Sequence, residues 1–271
     1  MSRVAVVTGS DSGIGRATAV ALADAGHDVG VTWHSDEDGA VETARRVRSA
    51  GRRAAVARLS LEDPVAAAAA VESLAEQLGG LDVLVNNAGA NHRSAIVDET
   101  LDGWQRALDV NLTGPVFCAQ AAARRMAAAG GGRIVFVTSI HEHQPLRWAA
   151  AYSAAKAGTG MAAKVMALEL AGTGITVNAV APGHIATPMT GKDGVDPRSV
   201  ALPQIPLGRP GGPEEIAALV AWLASDAAAY VTGASILADG GLALSAVNAL
   251  QDAVEGRDTA GSGRARGERV Q

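Results

Sequence analysis

The feature that most constrains this chain is a repeated alternation of short apolar runs with longer alanine-rich stretches. The runs are "RVAVVTG" (3–9), "DVGVTW" (28–33), "RAAVARL" (53–59), "LDVLVNNAG" (81–89), "GRIVFVTS" (132–139), "GITVNAVAPG" (174–183) and "GASILADGG" (233–241). Several are apolar throughout, which is the pattern of strands covered on both faces of a parallel sheet. Between them, helical stretches fall near 14–26, 36–50, 63–79, 100–129, 151–172 and 213–225. Strand–helix–strand units cross over right-handed, so the pattern predicts an α/β fold with a Rossmann-type doubly wound parallel sheet and helices on both faces. No Pro- or Ser-rich linker interrupts it, and residues 1–244 read as one domain. Residues 245–271 read as an extension that loses periodicity after Val254, either flexible or used in subunit contacts. Residues 186–212, rich in Pro and Gly, predict a long loop of the kind that serves as a binding lid.

Charge and composition remove several function classes. With a formal net charge of −5 and no basic stripe, the chain lacks the clustered cations that nucleic-acid binding requires. No run approaches the roughly 18–20 apolar residues of a membrane span. The apolar stretch at the N-terminus breaks at Thr8-Gly9, too early for a signal peptide. The single cysteine, Cys118, excludes an intramolecular disulfide and fits a reducing compartment. A cytoplasmic protein is expected. His141 and His143 stand two apart without further Cys or His nearby, so no metal site is expected.

Two local patterns carry chemistry. In "VAVVTGSDSGIGRATAVALADAG" a strand, a glycine turn and a helix follow one another, with Gly9, Gly13 and Gly15 spaced GxxxGxG. Glycine allows a tight turn and close backbone approach, and the helix N-terminus offers unpaired N–H groups. A dinucleotide pyrophosphate is the expected guest, held by Gly9, Ser12, Gly13, Ile14 and Gly15. The second pattern is "YSAAK" (152–156), which puts Tyr152 and Lys156 on one helix face. Taken alone, the pair is either a chance surface contact or an acid beside its tuner.

The motifs "TGSDSGIG" (8–15), "NNAG" (86–89), "VNLTG" (110–114), "VTS" (137–139), "YSAAK" (152–156) and "VNAVAPG" (177–183) resemble, in order and spacing, those of the short-chain dehydrogenase/reductase family. The resemblance spans residues 3 to about 244. It implies seven parallel strands, an NAD(P) cofactor and hydride transfer at a small alcohol or carbonyl. A free phenol ionises near pH ~10. An adjacent ammonium lowers that value, so Tyr152 becomes the expected general acid/base and Lys156 its tuner, which the resemblance also implies holds the nicotinamide ribose. Ser139, at a strand end, is expected to orient the substrate oxygen. Asn111 matches the family's helix asparagine, expected to hold a water that relays protons to Lys156.

The same resemblance implies further cofactor contacts. Asn87, Ala88 and Gly89 are expected at the adenosine ribose, and Pro182, Gly183, Ile185 and Thr187 at the nicotinamide. Ser60 and Leu61 are expected near the adenine, where many relatives carry an Asp. At the end of the second strand, NAD-preferring enzymes place an acid that repels a 2′-phosphate. Trp33 stands there, followed by His34 and Ser35, so NADP(H) is favoured. NAD(H) remains open, because Ser12 replaces the common basic residue and Asp36 is one register shift away.

"SIHE" (139–142), "VNLTGPVF" (110–117) and "EEIAALVAWLAS" (214–225) resemble the glucose 1-dehydrogenase-like branch, and the same pattern also resembles acetoin (diacetyl) reductases. His141, Glu142 and Trp148 are expected in the substrate pocket. A 3-oxoacyl-thioester (acyl carrier protein) reductase and a non-catalytic dinucleotide sensor are the alternatives. The helix at 151–172 is apolar or small on most of its circumference and needs cover on both sides. One side faces the sheet and the other is expected to meet a partner subunit; the resemblance implies a homotetramer (or homodimer), with "LALSAVNAL" (242–250) contributing.

Overall fold

In the computed structural model, residues 3–192 and 194–245 are described. Seven parallel strands form one sheet in the order β3-β2-β1-β4-β5-β6-β7. They are β1 (Val4–Val7), β2 (Asp28–Trp33), β3 (Ala54–Arg58), β4 (Val83–Asn86), β5 (Gly132–Val137), β6 (Ile175–Pro182) and β7 (Ser235–Ala238). β1, β4 and β6 are buried along their whole length, as their largely apolar sequences require.

Each face of the sheet carries its own core. Ala5, Val7, Val29, Val85 and Val135 pack beneath α1 (Gly13–Asp24), α2 (Glu37–Ser49) and α7 (Pro213–Leu223). Val6, Leu84, Ile134, Phe136 and Val177 pack beneath α3 (Pro64–Leu78), α5 (Gly114–Ala129) and α6 (Ala150–Leu170). Alternate residues of one strand thus serve opposite layers. The helices begin where their caps dictate. Asp36 accepts from Gly39 N ahead of α2, and Asp63 accepts from Ala66 N ahead of α3, where Pro64 follows. Among the described residues no helix is long and apolar enough to cross a membrane.

The helical stretch expected at 100–129 is two helices, α4 (Leu101–Leu108) and α5, separated by a π-helical turn at Asp109–Thr113. The reason is in the sequence. Pro115 has no N–H to give to the carbonyl of Asn111, four residues earlier. That carbonyl accepts from the Thr159 hydroxyl at 2.7 Å instead. The long loop 186–212 contains two short 3₁₀ turns, Pro188–Thr190 and Pro197–Ser199. Beyond Ser245, the expected extension and its share in a subunit contact lie outside the described residues.

Strand order reverses between β1 and β4, and loops from the two halves part there at the C-terminal ends of the strands. Such a switch point is where open α/β sheets bind ligands.

Candidate active site

A cleft of about 430 Å³ opens at this switch point and is lined from both halves of the sheet. Its floor is the turn from β1 into α1. Gly9 and Gly13 have φ of 61° and 50°, values that favour glycine. A Cβ on Gly9 would sit 2.9 Å from Ala88 Cα, and one on Gly15 would overlap the carbonyl of Gly9. Ser12 leads into α1 without a side-chain cap, so the first-turn N–H groups face the cleft unspent by any capping side chain. Thr8 and Asn87 hold this turn. The Thr8 hydroxyl accepts from Asn87 N and Ala88 N, both at 3.0 Å. Asn87 Nδ2 donates to the carbonyls of Thr8 (3.0 Å) and Gly9 (2.9 Å). The Asn87 amide is therefore committed to shaping the turn.

The expected dinucleotide residues Gly9, Ser12, Gly13, Ile14, Gly15, Trp33, His34, Ser35, Asn87, Ala88, Gly89, Pro182, Gly183, Ile185 and Thr187 all line the cleft. Ser60 and Leu61 do not; Leu59 takes their place. Leu61 is buried because Gly114, at the start of α5, packs against it with no room for a Cβ. Close approach at Gly183 is made by the protein itself: a Cβ there would lie 2.6 Å from that of Asp239. The glycine cradle and the uncapped helix end fit a nicotinamide dinucleotide.

At the other end stand Asn111, Ser139, Tyr152 and Lys156, all four buried. The π-turn carries Asn111, whose amide donates to the carbonyls of Ala90 and Ala107 at 3.0 Å and accepts from Ala90 N at 3.2 Å. It clamps the loop after β4. Ser139 follows β5, hydrogen-bonds Tyr152, and its Oγ also accepts from His141 N. The Lys156 ammonium donates to the carbonyl of Val137 at 3.2 Å and lies 5.8 Å from the centre of the Tyr152 ring.

The ionisation balance differs from the expectation. Burial raises the Tyr152 phenol above its ordinary value, against smaller lowering by its hydrogen bond to Ser139 and by the charge of Arg93. Burial also lowers Lys156 to about 8, opposed by the charge of Glu142. Desolvation outweighs pairing in this cleft. At neutral pH the pair is a neutral phenol beside an ammonium.

The residues expected in the substrate pocket separate. His141 packs edge-on to Tyr152, ring centres 6.3 Å apart, and its Nδ1 pairs with the Gln144 carbonyl. Trp148 is exposed, at a φ of 63°, with Arg147 over its ring and its carbonyl accepting from Ser94 N at 2.7 Å. It marks the rim, outside the cavity lining. Glu142 points the other way, into the interior, with its side chain only 4% exposed. Loop position cannot distinguish a side chain facing the cleft from one turned beneath it.

Sequence reasoning passed over Asp11 and Thr138 of the lining, and Arg58 and Arg93 beside it, whereas Met189 and Thr190 fall in the long loop expected to serve as a binding lid. The Arg58 guanidinium lies 5.7 Å from the centre of the Trp33 ring, and its Nε donates to the His34 carbonyl at 3.2 Å. Arg93 reaches across the mouth to the Arg147 carbonyl. Thr138 was visible inside "VTS"; the two arginines had no motif to announce them.

A family described as enoyl-(acyl carrier protein) reductase matches residues 8–243. The uncharacterized oxidoreductase YohF of Escherichia coli (strain K12) is 51% identical over 245 residues, 90% of this chain and 97% of that relative. Glucose 1-dehydrogenase 2 of Bacillus subtilis (strain 168) is 39% identical over 247 residues, 89% of this chain and 95% of that one. Among solved structures, acetoin dehydrogenase from Enterobacter cloacae is similar at a TM-score of 0.86 and 52% identity, over 90% of this chain and 97% of that chain.

Proposed function

The chain belongs to the short-chain dehydrogenase/reductase family, and from that premise we propose that it interconverts a small ketone and its alcohol, Tyr152 exchanging the proton. It is an oxidoreductase acting on CH–OH groups with a nicotinamide dinucleotide. The observation that carries the finer reading is the meeting of Ser139, Tyr152 and Lys156 at one end of a cleft whose other end is the glycine turn. When bound, the nicotinamide supplies or accepts hydride. The protein's own part is then electrostatic and steric. Ser139 holds the substrate oxygen, and Tyr152 gives it a proton in reduction or takes one in oxidation. Lys156 favours the phenolate left behind. A neutral phenol beside a charged lysine is the form that donates, which supports reduction at neutral pH.

For the substrate we propose acetoin and its diketone. The support is the acetoin dehydrogenase from Enterobacter cloacae, similar over nearly its full length, together with the small cleft. A 3-oxoacyl-[acyl-carrier-protein] reductase of Synechocystis sp., 38% identical over 244 residues, favours a second reading, reduction of the 3-oxo group of an acyl thioester. For the cofactor we propose NADP(H). Trp33, His34 and Ser35 put no carboxylate at the end of β2, and Asp36 is engaged in capping α2. Arg58 adds a positive charge at the same end. Asp11, an acid lining the cleft, favours NAD(H) as the competing choice.

The experiment follows nicotinamide absorbance with diacetyl, an acetoacetyl thioester, acetoin and glucose, each with both cofactors. Turnover of diacetyl with NADPH, at least tenfold above the thioester, is expected. In Arg58→Ala the affinity for NADPH is expected to fall several-fold while that for NADH holds, read by fluorescence titration. Equal losses for both cofactors would end the Arg58 argument.

We take the working form to be a cytoplasmic homotetramer, or a homodimer. Phe117 on α5 and Met161, Val165 and Leu168 on α6 are exposed apolar side chains. The last three, at i, i+4 and i+7, form one stripe suited to a second copy.

A further inference from the structure

Tyr152, Lys156 and Gly160 follow one another at i, i+4 and i+8 on α6 and so form a column running inward from the cleft. Gly160 is the position where that column has no side chain. The Glu142 carboxylate fills the space, and a Cβ on Gly160 would overlap its Oε1. The carboxylate is fixed there by the Thr138 hydroxyl, which donates to Oε2 at 2.6 Å from the end of β5. On its other side, Oε1 is 3.5 Å from His143 Nε2, and His143 in turn pairs with the Ser235 hydroxyl at 3.1 Å.

A buried ammonium is costly unless a charge or a full set of acceptors meets it. Lys156 is 5% exposed and finds the Val137 carbonyl. The polar atoms of Asn111 are already engaged: its amide with Ala90 and Ala107, its carbonyl with Thr159. The groups around the pair are Tyr152 on α6, His141, Glu142 and His143 on the turn after β5, and Arg93 on the loop after β4. Among these, Tyr152 and His141 face Arg93, and Glu142 is the anion that faces Lys156.

We propose that Glu142 is a positioning residue of the reaction, the buried counter-charge that keeps the Lys156 ammonium protonated inside the protein. It touches no substrate. It acts through Lys156, and the glycine at 160 exists to admit it. This inference rests on the proposed Tyr152–Lys156 chemistry, and its test separates the two.

The chain has three lysines, Lys156, Lys164 and Lys192. Titration of the ligand-free protein labelled at lysine ¹³Cε therefore gives three resonances, read without cofactor or turnover. In wild type, Lys156 is expected to titrate near 8, where burial against Glu142 holds it. In Glu142→Gln, which keeps shape and removes charge, the Lys156 midpoint is expected to fall by about one pH unit or more. The alkaline limb of kcat/KM for carbonyl reduction is expected to move the same way, with little change on the acid side. An unmoved Lys156 resonance, with activity lost evenly at every pH, overturns the proposal and leaves Glu142 a packing residue. Should Glu142→Gln not fold, Thr138→Val releases the carboxylate and is expected to move Lys156 in the same direction by less; an unmoved resonance there overturns it equally. A shifted resonance in a protein whose Tyr152→Phe variant keeps full turnover would sink the proton-donor reading instead, leaving the charge pair standing.

Discussion

At Tyr152, two effects pull in opposite directions, and their magnitudes decide its protonation. Burial disfavours the phenolate, while the Ser139 hydrogen bond and the Arg93 guanidinium favour it. The ammonium sits 5.8 Å from the ring centre, and burial wins. The chain's second tyrosine, Tyr230, is exposed. Absorbance titration near 295 nm is therefore expected to place the step that is lost in Tyr152→Phe above the ordinary phenol range of pH ~10. A step lost in that variant at or below that pH would contradict the burial argument. Thr8 makes a second test at this scale. Its hydroxyl serves two backbone N–H groups, so Thr8→Val leaves both without an acceptor. A loss of about 2–3 kcal/mol by urea denaturation is expected; a change under about 0.5 kcal/mol would mean the turn holds itself.

Among elements, α6 and the π-turn before α5 do the placing. Their contributions were legible to different degrees. "YSAAK" announced the helix face because i, i+4 spacing is a local property of a helix. The break at Asp109–Thr113 also had a local cause, Pro115, but its consequence depended on Thr159, far away in sequence. The inward turn of Glu142 depended on Gly160 and Thr138 together, a tertiary fact no single stretch contains. Likewise Leu59 replaced Ser60 and Leu61 in the cleft because α5 packs against Leu61. Gly160→Ala tests this packing. Alanine suits a helix better than glycine, yet it is expected to cost about 1–3 kcal/mol here through overlap with the carboxylate. Adding Glu142→Ala is expected to cancel most of that cost in a double-mutant cycle. Simple additivity would remove the carboxylate from the space beside Gly160.

For the whole molecule, the doubly wound parallel sheet with helices on both faces follows from alternation and apolar runs. These are repeated signals, and they survive local error in each strand's ends. Assembly is less legible, because an apolar stripe names a need for cover and not its occupant. Leu168→Arg is expected to split the proposed homotetramer into smaller species by light scattering. An unchanged mass would place the interface elsewhere.

The central claim is that Tyr152 moves the proton in a cleft that holds the dinucleotide by other residues. Tyr152→Phe measures it most directly, with diacetyl reduction followed at the nicotinamide band and cofactor affinity followed by fluorescence. A fall in kcat of at least a hundredfold, with affinity within about threefold of wild type, is expected. Turnover within a few-fold of wild type would contradict it.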